Sequence, residues 1–184
     1  GADTNLRWTI SLTANERRWP VTRLGDAEKP PLLMLHGFMG RGRDWVPVAE
    51  QLTSAYSPRL IDLPGHGETT QLDFDSAYSL ASISSELVGQ LDALDLGTIT
   101  LVGYSLGGRV ALQLALDHPE RVSHLILENA NPGIADQHAR ESRLRLDQDR
   151  AARIRADLPG FLADWYRTPL FSSLGRDPQQ LARM

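Results

Sequence analysis

Cysteine is absent from all 184 residues. Its absence removes a disulfide framework, a thiol nucleophile, an iron–sulfur cluster and any cysteine-bound zinc. Long apolar runs are missing too. No window approaches the roughly eighteen uninterrupted apolar residues that a membrane helix needs. Residues 1–10 carry Asp3 and Arg7 and lack the apolar stretch of a secretory leader. A cytoplasmic protein with no membrane partner is expected. Excess positive charge is also lacking, since 19 Lys and Arg stand against 23 Asp and Glu for a formal net charge of −4. No global field draws the chain to nucleic acid, which is not expected as a partner. Aromatics are sparse at 7%, but 41% of residues are hydrophobic, enough for one ordinary core and against a disordered or fibrous chain.

Between residues 31 and 128, short apolar runs alternate with amphipathic stretches, the rhythm of a βαβ series around a mainly parallel sheet. Leu32-Leu33-Met34-Leu35 reads as a buried strand, as do residues 59–61, 98–103 and 122–127. Asp44 is placed to cap a helix running to Leu52. Leu80, Ile83, Leu87, Leu91 and Leu94 recur every three or four residues, which predicts one helix face starting near Ser79 and stopped by Gly97. Residues 106–116 read as another helix. Upstream, residues 8–12 and 19–22 suggest an antiparallel hairpin at the sheet edge. The expected fold class is therefore α/β, an open mainly parallel sheet with helices on both faces.

Composition shifts after Asn131-Pro132-Gly133. Residues 1–133 hold ten basic and sixteen acidic side chains, whereas residues 134–184 hold nine arginines against seven acids. A boundary is expected there, with residues 1–133 as the sheet core and residues 134–184 as a helical cap. The arginines at 140, 143, 145, 150, 153 and 155 alternate with Glu141, Asp147, Asp149 and Asp157. A solvated helix face laced with i,i+4 pairs is the ordinary reading; the alternative turns one or two of them inward to bind an anion. Pro159 and Gly160 are a candidate hinge.

Chemistry concentrates at Gly103-Tyr104-Ser105-Leu106-Gly107, after a predicted strand and before a predicted helix. That is the nucleophile-elbow pattern, in which a sharp turn presents the serine hydroxyl above the sheet edge. The helix that follows offers its first amides to a developing negative charge, the Leu106 N–H first among them. A second donor is expected from His36-Gly37-Phe38-Met39-Gly40, most directly the Phe38 N–H. His36 itself reads as a loop histidine holding its neighbours by hydrogen bonds, in preference to a catalytic group. Asp62-Leu63-Pro64-Gly65-His66-Gly67 follows another strand and borders the same crevice. Arg109 lies one helical turn after Ser105, where a planar guanidinium suits a carboxylate.

In order, the three loops resemble those of the α/β-hydrolase superfamily. A narrower likeness comes from Val102 through Arg109, from Glu128-Asn129-Ala130-Asn131-Pro132-Gly133, and from Ala163-Asp164-Trp165-Tyr166 followed by Pro169-Leu170-Phe171-Ser172-Ser173-Leu174. These resemble the 2-succinyl-6-hydroxy-2,4-cyclohexadiene-1-carboxylate synthase family (MenH type) of menaquinone biosynthesis. The resemblance implies a lyase that eliminates pyruvate from a small polycarboxylate using a Ser-His-Asp triad, with no metal and no organic cofactor. It implies Ser105 as nucleophile, and Tyr104, Arg109, Arg143 and Trp165 as substrate contacts. For Trp165, packing within the cap is an equal reading.

The triad histidine has no match. His118 and His124 are expected at the far end of the sheet from Ser105, and His138 has no counterpart in the family pattern. Glu128 closes a strand at the correct edge but reads as a loop-ordering residue. Superfamily members are usually longer, so the expectation is a chain that stops before the last two strands and is inactive alone. That would leave residues 122–127 as an exposed edge. Two rivals stand beside the lyase: a serine carboxylesterase, and a non-catalytic binding protein on the hydrolase fold.

Overall fold

Leu32 to Leu35 are all buried, and their alternation sets the layering. Leu33 and Leu35 join Leu87 and Leu91 of one helix and Val110, Ala111 and Leu114 of another. Leu32 and Met34 instead meet Ala49, with Trp45 and Leu52 packed alongside. Successive strand side chains point to opposite faces, so a strand with helices on both sides is apolar throughout. The fold class expected from the sequence is the one observed.

The computed structural model describes the backbone of residues 5–8 and, in full, residues 19–67 and 79–169. The chain divides into two compact units, Gly1–Pro132 and Gly133–Met184. The first contains β1 (Asn5–Trp8), β2 (Val21–Leu24), β3 (Pro31–Leu35), α1 (Val46–Leu52), β4 (Ser57–Ile61), α2 (Leu80–Ala93), β5 (Ile99–Tyr104), α3 (Leu106–Asp117) and β6 (Val122–Glu128). Six strands form one sheet in the order β1-β2-β4-β3-β5-β6. The β4, β3, β5 and β6 strands run parallel, while β1 and β2 are antiparallel additions at one edge. Leu35 is level with Ile61 and Gly103, and Tyr104 with Glu128, so the loops after all four parallel strands emerge at one sheet edge. At the other lateral edge, β6 leaves Ile126 53% and Leu127 39% exposed.

Three local expectations for the first unit shift. The hairpin exists, but its strands are Asn5–Trp8 and Val21–Leu24 rather than residues 8–12 and 19–22; residues 9–12 lie outside the described residues. Asp44 is not the cap of α1. It lies in a 3-10 turn, Gly42–Trp45, and its carboxylate accepts the Arg41 N–H at 2.9 Å, closing the turn from within. The α1 helix follows with Pro at its start, where a missing N–H costs nothing. Ser79 does cap α2, accepting the Ser82 N–H. Gly97, however, does not stop that helix. Asp95 takes the left-handed conformation (φ 55), with its N–H on the Asp92 carbonyl at 3.0 Å and the Leu96 N–H on the Leu91 carbonyl at 2.8 Å. That hydrogen-bond pair is the Schellman motif, with an aspartate in the usual glycine position.

The second unit contains α4 (Gln137–Ala156) and α5 (Leu158–Trp165). Asp136 and Asp157 cap them through the Ala139 and Gly160 N–H groups, at 2.7 and 3.0 Å. Pro159 and Gly160 are therefore part of the first turn of α5 rather than a hinge, because the Asp157 cap locks them into the helix. Residues 170–174, which end the likeness that begins at Ala163, lie outside the described residues.

Candidate active site

Ser105 sits between β5 and α3 with φ 52 and ψ −114, a conformation that costs a non-glycine residue about 1–3 kcal/mol. Close packing enforces it. A Cβ on Gly103 would overlap the Gly107 carbonyl and come within 2.6 Å of the Gly108 Cα, and a Cβ on Gly107 would overlap the carbonyl oxygens of Leu35 and His36. The glycines let α3 start directly above the strand ends. The Ser105 N–H donates to the Glu128 carbonyl at 3.0 Å, which ties the elbow to the end of β6. Among the described residues the Ser105 hydroxyl makes no hydrogen bond. Leu106 is the first residue of α3, so its N–H has no intrahelical acceptor.

The loop after β3 closes on the same point. A Cβ on Gly37 would lie 3.4 Å from the Ser105 Cβ and 2.9 Å from Cδ1 of Tyr104. Gly37 is thus brought beside Ser105 and Tyr104, and Phe38 is the next residue of that loop. Arg109, one turn along α3, is exposed, and its guanidinium makes no ion pair among the described residues. Its N–H donates to the Ser105 carbonyl at 3.1 Å, so helix geometry fixes the separation of the two residues.

Behind the loop lies a pair of histidines. His36 is 2% exposed; its Nδ1 is 2.8 Å from the Gly37 carbonyl, and its Nε2 accepts the Leu63 N–H at 2.9 Å. Burial is the main force lowering its pKa from 6.5 to about 4, with His66 adding in the same direction against the Gly37 hydrogen bond. His66 lies 5.1 Å away, ring to ring, and meets Phe38 edge-on at 6.1 Å. Burial lowers its pKa too, opposed by its bond to the Pro64 carbonyl and by Asp62. The Asp62 carboxylate accepts the Gly42 N–H at 2.7 Å, so the loops after β3 and β4 are stitched together. His66 was legible only as part of a glycine-rich turn, and its packing against Phe38 in the loop after β3 had no sequence signal.

The other histidines of the sheet unit are remote from Ser105. His118 caps the C-terminal end of α3, and His124 pairs with Thr100 near the start of β5. Glu128 contributes its backbone carbonyl to Ser105, and its side chain is exposed. Arg143, Trp165 and His138 belong to the second unit. There the Arg143 Nε is held by both oxygens of Asp147 at 2.9 Å, Asp147 also meets Arg150 at 3.4 Å, and Arg150 lies over the Trp165 ring at 5.1 Å. Trp165 stacks on Phe161 at 5.8 Å. One face of α4 thus links the two positions through alternating charge. Among the described residues no cluster of His, Asp or Glu is arranged to hold a metal ion, and no helix is long and apolar enough to cross a membrane.

Residues 30–176 match the profile of the α/β hydrolase fold family. The chain belongs to that family. It is 42% identical over 153 residues to the 2-succinyl-6-hydroxy-2,4-cyclohexadiene-1-carboxylate synthase of Yersinia pestis, covering 82% of this chain and 54% of the relative. The Yersinia pseudotuberculosis enzyme of the same name gives the same figures. Among solved structures, that of MenH from S. aureus superposes with a TM-score of 0.78 at 35% identity, over 89% of this chain and 62% of that one. A bacterial membrane phospholipase A matches with a TM-score of 0.64 at 25% identity, over 70% and 40%. The chain spans about half the length of the curated relatives it matches.

Proposed function

We propose that the protein is a carbon–oxygen lyase of menaquinone biosynthesis. It eliminates pyruvate from 2-succinyl-5-enolpyruvyl-6-hydroxy-3-cyclohexene-1-carboxylate, with Ser105 as the serine of a Ser-His-Asp triad. The observation that carries the reading is the 42% identity to the synthase over 82% of this chain. The site chemistry fits it. Ser105 lies where two backbone donors, from Phe38 and Leu106, converge on developing negative charge. Tyr104 flanks the serine, and the Arg109 guanidinium, without an ion pair among the described residues, stands one turn away to take a carboxylate in bidentate fashion. Arg143 and Trp165 of the second unit are the further substrate contacts that the likeness to the synthase implies. The triad removes a ring proton, and the donors hold the charge as the enol pyruvate leaves. No metal or organic cofactor takes part, and the protein works in the cytoplasm.

A carboxylesterase is the second reading, favoured by the elbow itself, since a serine beside two amides can also form an acyl-enzyme. Incubating the full-length gene product with the cyclohexene substrate and measuring pyruvate by coupled reduction separates the two. Pyruvate release that disappears in Ser105→Ala supports the lyase. Cleavage of p-nitrophenyl esters without pyruvate release supports the esterase, and activity in neither assay favours a non-catalytic binder.

A further inference from the structure

The oxyanion donor assigned to Phe38 is a backbone N–H, and a backbone N–H points wherever its peptide plane is held. We propose that His36 is a positioning residue that aims the Phe38 N–H at Ser105, and that the loop after β4 dictates this aim by fixing the His36 tautomer. This rests on the reading of Phe38 as an oxyanion donor.

The chain of contacts starts 27 residues away from His36, at Leu63. A backbone N–H can only donate, so the Leu63 N–H at 2.9 Å requires a lone pair on the His36 Nε2. In a neutral imidazole the proton then sits on Nδ1. That Nδ1–H donates to the Gly37 carbonyl at 2.8 Å. The Gly40 N–H donates to the same oxygen at 3.0 Å, so two donors hold it on one side of the loop. The Gly37–Phe38 peptide is trans, as are all the described peptide bonds. In a planar trans peptide the N–H points opposite to the carbonyl. The Phe38 N–H is consequently turned away from His36, in the loop segment whose Gly37 abuts the Ser105 Cβ. His66 and Phe38 close the back of the cluster. A loop carrying no reacting group thereby sets the direction of a dipole at the reaction centre.

Two side chains separate the halves of the relay. Asparagine places an amide donor near the Nδ1 position, whereas glutamine places an acceptor near Nε2 and supplies no donor to Gly37. In the full-length protein, His36→Gln is expected to lower kcat by about 100-fold, the loss typical of one oxyanion donor, with KM changed by less than about threefold. His36→Asn is expected to stay within about tenfold of the parent kcat. Equal kcat losses in two folded variants, or a change confined to KM, would overturn the proposal. Long-range proton–nitrogen NMR on the unsubstituted protein reads the tautomer directly and does not depend on any variant folding. The Nδ1–H form between pH 6 and 8 supports the relay, and the Nε2–H form overturns it. Absence of turnover in the parent protein would refute the reaction assigned to the site, and the tautomer would then decide the relay independently.

Discussion

At Arg109 a single guanidinium separates the two enzymatic readings. It is exposed and without an ion pair among the described residues, and the helix fixes it one turn from Ser105. A charge-assisted hydrogen bond is worth about 1.5–3 kcal/mol, so Arg109→Ala should cut kcat/KM for the polycarboxylate roughly 10- to 150-fold. Cleavage of a neutral ester should change little, and steady-state kinetics on both substrates checks the difference. Position 109 and the elbow were legible because helix spacing and glycine pattern are local properties. The His36 tautomer was not, since it depends on the Leu63 N–H, a partner 27 positions away. Arg143 shows a different limit. Its residue type and spacing suit an anion, but its Nε is already bound to Asp147, a contact that the i,i+4 rule equally permits.

Among the elements, β3 and α2 were read correctly from periodicity because burial on one face or both writes itself into every position of the run. Their ends were harder, since a helix stops where its backbone finds alternative hydrogen bonds. Glycine was the expected signal at the end of α2, yet Asp95 adopts the left-handed conformation two residues before Gly97. The substitution series at this position therefore has a defined order. Asp95→Gly should raise stability by about 0.5 kcal/mol and Asp95→Val should lower it by about 1–2 kcal/mol, because a β-branched side chain tolerates positive φ poorly. Urea unfolding followed by far-ultraviolet circular dichroism measures both. In α4, strong periodicity was never available to read. Its charged residues pair along the helix, as in Arg143–Asp147 and Arg150–Asp147, and the helix buries none of its residues.

For the whole molecule, acid sensitivity follows from the buried histidines. The folded state holds His36 at about 4, below its ordinary 6.5, because burial penalises the charged form. Its contribution to stability is complete above pH 6.5 and is lost as the pH falls from there towards 4, by about 3 kcal/mol at most. His66 shifts in the same direction, while Asp62 and Asp44 beside the pair moderate the loss. The urea midpoint should thus drop between pH 7.5 and 4.5, and the drop should be smaller in His36→Asn. The net charge of −4 gave no hint of this, since it averages an acidic sheet portion with an arginine-rich second unit and says nothing of which groups are buried.

The backbone of Ser105 has one further consequence, for how such a protein evolves. With φ 52, the position suits glycine better than serine, so Ser105→Gly should raise the unfolding free energy by about 1 kcal/mol while removing the hydroxyl. A library screened only for heat resistance should enrich that replacement. One screened for turnover should never contain it, and the divergence of the two populations at this codon measures the stability that selection for chemistry gives up.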